Sequence, residues 1–408
     1  MNNIELLAPA GNLEKLKIAL AFGADAVYCG IPDFSLRVRI NNFDLPKLKQ
    51  GIEQAHALGK KVYITTNIFA HNKHLKNLDK YLTSLKKLKP DAFIVSDPGI
   101  IMRIKEIWPE AEIHLSTQAN CTNWQSAKFW SEQGVKRIIL GREVTIAEIK
   151  DIHARVPEVE LEYFVHGAMC MSYSGRCLLS KFFMDRSANL GDCTQPCRWQ
   201  YNTYLEEVKR PGEFLEIEED LSGSYIMNSK DLCLLEYLDQ LIDAGVSSFK
   251  IEGRAKSVYY VGNIVKVYRE VIDKIKKKEK IDYQYYLHEL NKSQNRGFTS
   301  GFAISRDECE QNTEKSHEPC AWEFCGIVVQ DVEDENLTTV KVHNQLLVGD
   351  QLEFVSPGEE IFSFQVEKIL DEKMSEITEA HGGQEQIVYL PINRKFSNNT
   401  LIRRRLVC

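Results

Sequence analysis

Four cysteines, Cys170, Cys177, Cys193 and Cys197, fall within 28 residues of a 408-residue chain whose other seven cysteines are scattered. Thiolates gathered on one segment are soft donors, and they suit a four-coordinate zinc ion or an iron–sulfur cluster. Zinc ribbons carry two tight C-x2–4-C knuckles. Here the spacing is C-x6-C-x15-C-x3-C, with only the second pair tight. That irregularity favours iron–sulfur, with zinc as the alternative. The opposing interpretation is that two or more of the four are buried apolar thiols, as free cysteine commonly is. Cys233, in "DLCLLEYL", is either a substitute fourth ligand or a helix-core thiol.

A second constellation ends the short apolar runs. It comprises Asn67 in "ITTN", Ser96 and Asp97 in "VSD", Gln118 in "STQ", Arg142 and Glu143 in "GRE", His166 in "VHG", and Lys250, Glu252 and Arg254 in "FKIEGR". In a parallel barrel such ends converge on one pocket. Glu143, His166 and Glu252 are then the acid–base candidates. Asn67, Asp97, Gln118, Arg142, Lys250 and Arg254 are the candidate substrate ligands. Singly, each has an ordinary explanation; Glu143, for instance, stands where a carboxylate caps the helix "VTIAEI". The two arginines point to an anionic small molecule, because a guanidinium fork pairs with carboxylate or phosphate. No G-x-S-x-G elbow, H-E-x-x-H helix or P-loop occurs, which counts against a serine hydrolase, a zincin and a P-loop enzyme.

The elements that position these residues are legible as alternation. "IELLAPAG", "DAVYCG", "KKVYITTN", "DAFIVSD", "EIHLSTQAN", "KRIILGRE" and "ELEYFVHG" are strands with helical stretches between them, and "SSFKIEGR" is an eighth. Repeated βα units form a parallel sheet. Eight of them, with no G-x-G-x-x-G turn after the first strand, predict an α/β fold: a (β/α)8 TIM-like barrel rather than a doubly wound sheet. About eighty residues separate strands seven and eight, far more than an ordinary connection. They hold the cysteines and a hairpin around "RPGE", and "DLCLLEYLDQLIDAG" reads as the helix before strand eight. Insertions of this kind sit at the C-terminal face of a barrel. The expected organisation is a barrel over 1–280 with a cysteine-rich insertion over 167–230, a linker or flap over 281–320, and a small all-β barrel over 321–408.

The net charge is −7, with 43% hydrophobic and 27% charged residues. An acidic balance disfavours a protein that grips nucleic acid over its whole surface, yet it leaves room for a local patch. The closing "RRR", Arg403 to Arg405, is either a phosphate contact or a solvated basic end. No basic-then-apolar leader and no apolar run of membrane length are present, so the expectation is a cytoplasmic protein without membrane contact. Thiols there stay reduced, and eleven is odd, so no full disulfide framework is expected.

"EYFVHGAMCMSYSGRCLLS", residues 162–180, resembles the signature of the collagenase-like peptidase family U32, of unassigned catalytic type, through Glu162, Phe164, Gly167, Cys170, Gly175, Cys177 and Ser180. "LLAPAGNLEKLK", "GADAVYCG", "GDCTQPCRW", "NSKDLCLL" and "FKIEGRAKS" are similar to that family too, so the resemblance covers at least residues 4–260. The C-terminal β segment resembles the small barrel that members append. "FSLRVRINNF" and "GDCTQPCRW" most resemble the bacterial branch implicated in prephenate-dependent hydroxylation of the tRNA wobble uridine to 5-hydroxyuridine. Related branches hydroxylate a ribosomal RNA cytidine or a ubiquinone precursor. The resemblance implies an RNA-modifying enzyme with tRNA as partner and prephenate as cosubstrate. It also implies an iron–sulfur cluster of the [4Fe-4S] type on Cys170, Cys177, Cys193 and Cys197. Some relatives use a later cysteine near Cys233 as the fourth ligand. A peptidase acting on protein chains is the rival, but no nucleophile motif supports it.

Overall fold

The structure, a computed structural model, describes residues 4–32, 34–35, 43–169, 177, 179–186, 193–199, 204–206, 212, 214–216, 229–305, 318–329, 336–384 and 386–406. Seven strands coincide with the apolar runs: β1 (Glu5–Pro9), β2 (Ala26–Cys29), β3 (Lys61–Thr66), β4 (Ala92–Val95), β5 (Ile113–Leu115), β6 (Arg137–Ile139) and β7 (Glu160–Ala168). They read as largely apolar runs because parallel strands are covered on both faces; β2, β4, β5 and β6 are buried along their whole length. A hairpin of β8 (Tyr204–Glu206) and β9 (Phe214–Glu216) and a short β10 (Asp231–Cys233) precede β11 (Val246–Ile251). β11 pairs in parallel with both β7 and β1, which closes the ring of eight. The (β/α)8 barrel is as expected.

Local signals start the intervening helices at the C-terminal ends of the strands. Asp44 caps α2 (Leu45–Ala57) by accepting from the Lys47 amide, and Asp97 caps α4 (Pro98–Ile107) by accepting from the Gly99 and Ile100 amides; both are N-cap carboxylates followed by proline in the first turn. α1 (Leu13–Ala21), α3 (Asn72–Leu88), α5 (Trp124–Glu132) and α6 (Ile146–Arg155) complete the regular repeats. In the insertion lies α7 (Leu179–Met184), and before β11 lies α8 (Leu238–Asp243).

The stretch "DLCLLEYLDQLIDAG", expected as one helix, is divided into β10, a 3-10 turn over Leu235–Tyr237, and α8. Five consecutive residues at its start, Leu232 to Leu235 with Asp231 before them, lack a period that separates helix from strand. Tertiary pairing decides instead. β10 runs antiparallel to the last residues of β7, with Cys233 opposite His166, and parallel to β12 (Phe298–Thr299). Asp231 pins this arrangement through a buried ion pair with Arg296 and through its backbone N–H, which donates to the Gly297 carbonyl.

The chain divides into two compact units. One comprises residues 1–16, 25–255 and 295–318, and the other comprises 17–24, 256–294 and 319–408. The second unit holds the long helix α9 (Val258–Lys277), capped by Ser257 and closed by Lys278 at φ 58°. It also holds α10 (Tyr283–Asn291), within the stretch read from sequence as linker. Its sheet is antiparallel. In chain order the strands are β13 (Trp322–Val328), β14 (Thr338–Val342), β15 (Leu346–Leu347), β16 (Gln351–Val355), β17 (Phe362–Gln365), β18 (Ile369–Leu370), β19 (Glu376–Ile377), β20 (Glu379–Ala380), β21 (Ile387–Leu390) and β22 (Leu401–Arg405). The sheet order is β17-β16-β22-β13-β14-β21-β18-β19, and β15 pairs with β20 alone. Among the described residues no pairing joins the edge strands β17 and β19, so the small all-β domain expected here takes the form of an antiparallel half-barrel. Val340, Val342, Leu352, Phe354, Ile369, Val388, Leu390 and Ile402 fill its core.

The arginine run at the end of β22 corrects both sequence readings. Arg403 is fully buried. Its guanidinium binds Glu289 Oε2 at 2.6 Å and Tyr259 Oη at 3.0 Å, and it pairs with Glu353. Arg404 pairs with Glu323 at 2.7 Å and Asp350 at 3.3 Å. Of the three, only Arg405 is exposed. Two of the three charges are therefore spent inside the fold and are not available to phosphates.

Candidate active site at the barrel mouth

The C-terminal ends of the barrel strands bring three cations onto two aromatic rings. The Arg142 guanidinium carbon lies 4.1 Å from the Phe164 ring centroid. The Lys250 ammonium lies 5.4 Å from that ring and 4.5 Å from the ring of Tyr28, and the Arg254 guanidinium carbon lies 5.8 Å from Tyr28. All three side chains are buried. Cations over ring faces are held by the ring quadrupole, which matters more once they are removed from water. Phe164 and Tyr28 were not singled out as site residues by sequence, where aromatics in barrel strands read as core.

The three cations differ in their partners. Arg254 Nη1 donates to Ser35 Oγ at 2.8 Å and to Thr65 Oγ1 at 2.9 Å. Gly30 is required beside this seat, since a Cβ there would collide with both hydroxyls. Lys250 donates to Glu162 Oε1 at 2.6 Å. Burial, opposed by Glu162, still lowers the Lys250 ammonium from its ordinary value. Arg142 makes no side-chain hydrogen bond or ion pair among the described residues, and its Nε is buried without a partner. An orphaned buried donor costs free energy.

Beneath Lys250 the barrel interior is a charge network that sequence reasoning missed. Glu162 accepts from Arg137 Nη1 at 3.3 Å. Arg137 also binds Glu5 and Glu160, and Glu5 accepts from Tyr63 at 2.6 Å and Ser248 at 2.8 Å. The available signal was a lysine and a glutamate inside otherwise apolar strands.

The remaining candidates divide. Gln118 is buried with Oε1 unpartnered, and Asn67 is buried with Nδ2 3.4 Å from Ser116 Oγ. Asp97 is occupied: Oδ1 caps α4 and Oδ2 accepts from the Ala70 amide at 3.3 Å. Glu143 is not a helix cap. Thr145 takes that place, in a capping box with Glu148, and leaves Glu143 Oε2 buried without a partner. His166 is buried with its ring 5.6 Å from that of Phe298. Its carbonyl accepts from the Glu252 amide, and Glu252 Oε2 accepts from the Ala168 amide at 3.4 Å. Gly167, at φ 113°, permits this close approach, because a Cβ would lie 2.7 Å from the Glu252 carbonyl oxygen.

The eight described cysteines are free thiols. Cys29, at the end of β2, is core, and burial pushes its thiol up to about 12. Cys177, Cys193 and Cys197 are partly exposed, Cys233 is buried in β10, and Cys170 lies outside the described residues. Among the described residues no three Cys, His, Asp or Glu side chains gather closely enough to hold a metal ion. The donor chemistry at Cys193 nevertheless suits a thiolate ligand. Its sulfur accepts from the Gln195 amide at 3.3 Å and from the Ser180 hydroxyl at 3.6 Å, and hydrogen bonds to ligand sulfurs are among the features that set a cluster's potential.

The profile of peptidase family U32 matches residues 11–313, and that of the family's C-terminal domain matches residues 321–403. The chain belongs to peptidase family U32. Among U32 relatives, the tRNA hydroxylation protein P of Haemophilus influenzae is 39% identical over 99% of this chain and 96% of its own length. The tRNA hydroxylation protein P1 of Bacillus subtilis is 39% identical over 98% of this chain and 94% of its own. A collagenase of Porphyromonas gingivalis is 35% identical over 67% of this chain and 66% of its own. In this U32 barrel the Ser35 and Thr65 hydroxyls bond each other, Thr65 donates to the Cys29 carbonyl at 3.0 Å, and the Arg254 guanidinium donates to both. Arginine has no acceptor with which to take a proton, and a hydroxyl nucleophile needs a base. Among the described residues no helix is long and apolar enough to cross a membrane.

Proposed function

We propose that this protein is an RNA-modifying enzyme that hydroxylates the wobble uridine of tRNA to 5-hydroxyuridine, with prephenate as cosubstrate. One observation carries the reading of the site: three buried cations share two rings at the barrel mouth, and one of them, Arg142, has no side-chain hydrogen bond or ion pair among the described residues. A dicarboxylate such as prephenate matches that excess charge. Its carboxylates pair with Arg142 and Arg254, whose forks suit them, while Lys250 adds charge from below. Gln118 and Asn67 offer neutral hydrogen bonds beside them. Glu143, with its unpartnered oxygen, His166, near the end of β7, and Glu252, directly after β11, are the groups we assign to hold or move a proton. The two full-length relatives named for tRNA hydroxylation support the RNA class.

A [4Fe-4S] cluster held by Cys170, Cys177, Cys193 and Cys197, with Cys233 as the alternative fourth ligand, supplies one-electron chemistry. Every other role above belongs to the chain's own side chains. Two measurements on anaerobically purified protein separate this reading from a peptidase. Calorimetric binding of prephenate, lost in Arg142→Ala, supports it. Cleavage of gelatin by protein that binds no prephenate overturns it.

A further inference from the structure

We infer that Phe182, Phe183 and Trp199 form a stacking platform for the unpaired nucleotides that flank the target base of the RNA substrate; this rests on the RNA-modifying reading above. Phe182 is 82% exposed, the most of any large apolar side chain among the described residues, and Phe183 and Trp199 are 43% and 37% exposed. The rings form one group. Phe182 and Phe183 lie 5.1 Å apart edge to face, and Phe183 and Trp199 lie 6.1 Å apart. On α7, Phe182 lies about 200° round the helix from Ser180, so it faces outward where Ser180 faces inward. Ser180 is fully buried and accepts from the Thr194 amide at 3.0 Å, which ties α7 to the following turn. Contiguous exposed apolar surface marks an interaction site. Met184 is exposed beside them, but the surface is mainly rings, and unpaired bases stack on such rings with little regard to sequence.

Place and charge agree. The insertion leaves the barrel at the C-terminal end of β7 and returns through β10, which pairs with that same end. That is the end where Arg142, Lys250 and Arg254 meet. Residues 179–199 carry three basic residues against two acidic ones, in a chain of net charge −7. Arg403 and Arg404 are consumed by internal ion pairs, so the C-terminal arginine run leaves only Arg405 to meet a phosphate.

The test is the affinity of full-length, anaerobically purified protein for an unmodified tRNA transcript, read by fluorescence anisotropy. Phe182→Ala, Trp199→Ala and Phe182→Leu each weaken binding about tenfold, the loss of one stacked ring, and the loss persists at raised salt, because stacking is not screened. Phe182→Tyr binds as the wild type does. A single-stranded anticodon-loop oligonucleotide competes, and a duplex stem does not. Equal binding by Phe182→Leu and wild type overturns the platform, as does normal tRNA binding by the alanine variants together with lost self-association in sedimentation. Iron content and circular dichroism report folding, and the leucine–tyrosine pair decides if an alanine variant misfolds. If ring variants lose tRNA while tRNA hydroxylation proves independent of this protein, the platform stands and the proposed reaction falls.

Discussion

The Lys250 ammonium donates to Glu162 Oε1 across 2.6 Å inside the barrel, and both side chains are almost wholly removed from water. Glu162 also faces Arg137 at 3.3 Å, so one carboxylate joins the closed interior to the mouth. Removing one partner of a buried pair costs about 3–5 kcal/mol, because the other charge is left uncompensated. Glu162→Gln is therefore expected to lower unfolding stability by about that much. Glu162→Gln with Lys250→Met is expected to recover part of the loss. Urea titration of the three proteins checks this.

His114 gives the barrel a sign for its acid response. Burial, against the Glu112 contact, holds its imidazole below the ordinary value. The unfolded chain thus binds a proton near pH 6.5 that the folded chain refuses. The contribution is complete above that pH and is lost as pH falls towards the lowered folded value. The wild-type unfolding midpoint should drop between about pH 7 and pH 5. His114→Phe should flatten that slope, which thermal melts across the range will show.

At the other end of the chain, Arg403 and Arg405 are two residues apart and opposite in role. Arg403→Met strands Glu289 and Glu353 with Lys292 alone, and it is expected to cost about 3–5 kcal/mol. Arg405→Ala should change stability by less than about 0.5 kcal/mol. Equal, small effects on stability with equal losses of tRNA affinity would restore the phosphate-contact reading.

These arginines show where a sequence stops being informative. The eight barrel strands were legible because burial on both faces writes an apolar run, and the strand-end residues followed from topology. The convergence of Arg142, Lys250 and Arg254 was foreseeable in outline. Their seats on Phe164 and Tyr28 were not, since a ring in a buried strand looks like core. Cys233 was misplaced on a helix because its strand exists only through pairing with β7. Arg403 was misread because its partner, Glu289, lies 114 residues away. Long-range charge pairing leaves no local period.

The cysteine assignment carries its own outcome. Anaerobically purified protein should be brown and contain iron and sulfide. Cys170→Ala with Cys193→Ala should lose both while keeping the barrel's circular dichroism. Retained iron in the double variant, or one zinc in colourless wild-type protein, would refute the site.

The central claim is that the mouth cations serve tRNA hydroxylation. It is tested most directly by mass analysis of tRNA nucleosides from a strain lacking the gene, complemented with wild-type protein or with Arg142→Ala. The account predicts that 5-hydroxyuridine-derived nucleosides disappear in the deletion, return with the wild type, and remain roughly ten- to a hundred-fold depleted with Arg142→Ala, the loss of one charged hydrogen-bonding group worth about 1.5–3 kcal/mol. Unchanged hydroxyuridine in the deletion strain, or full restoration by Arg142→Ala, would contradict it.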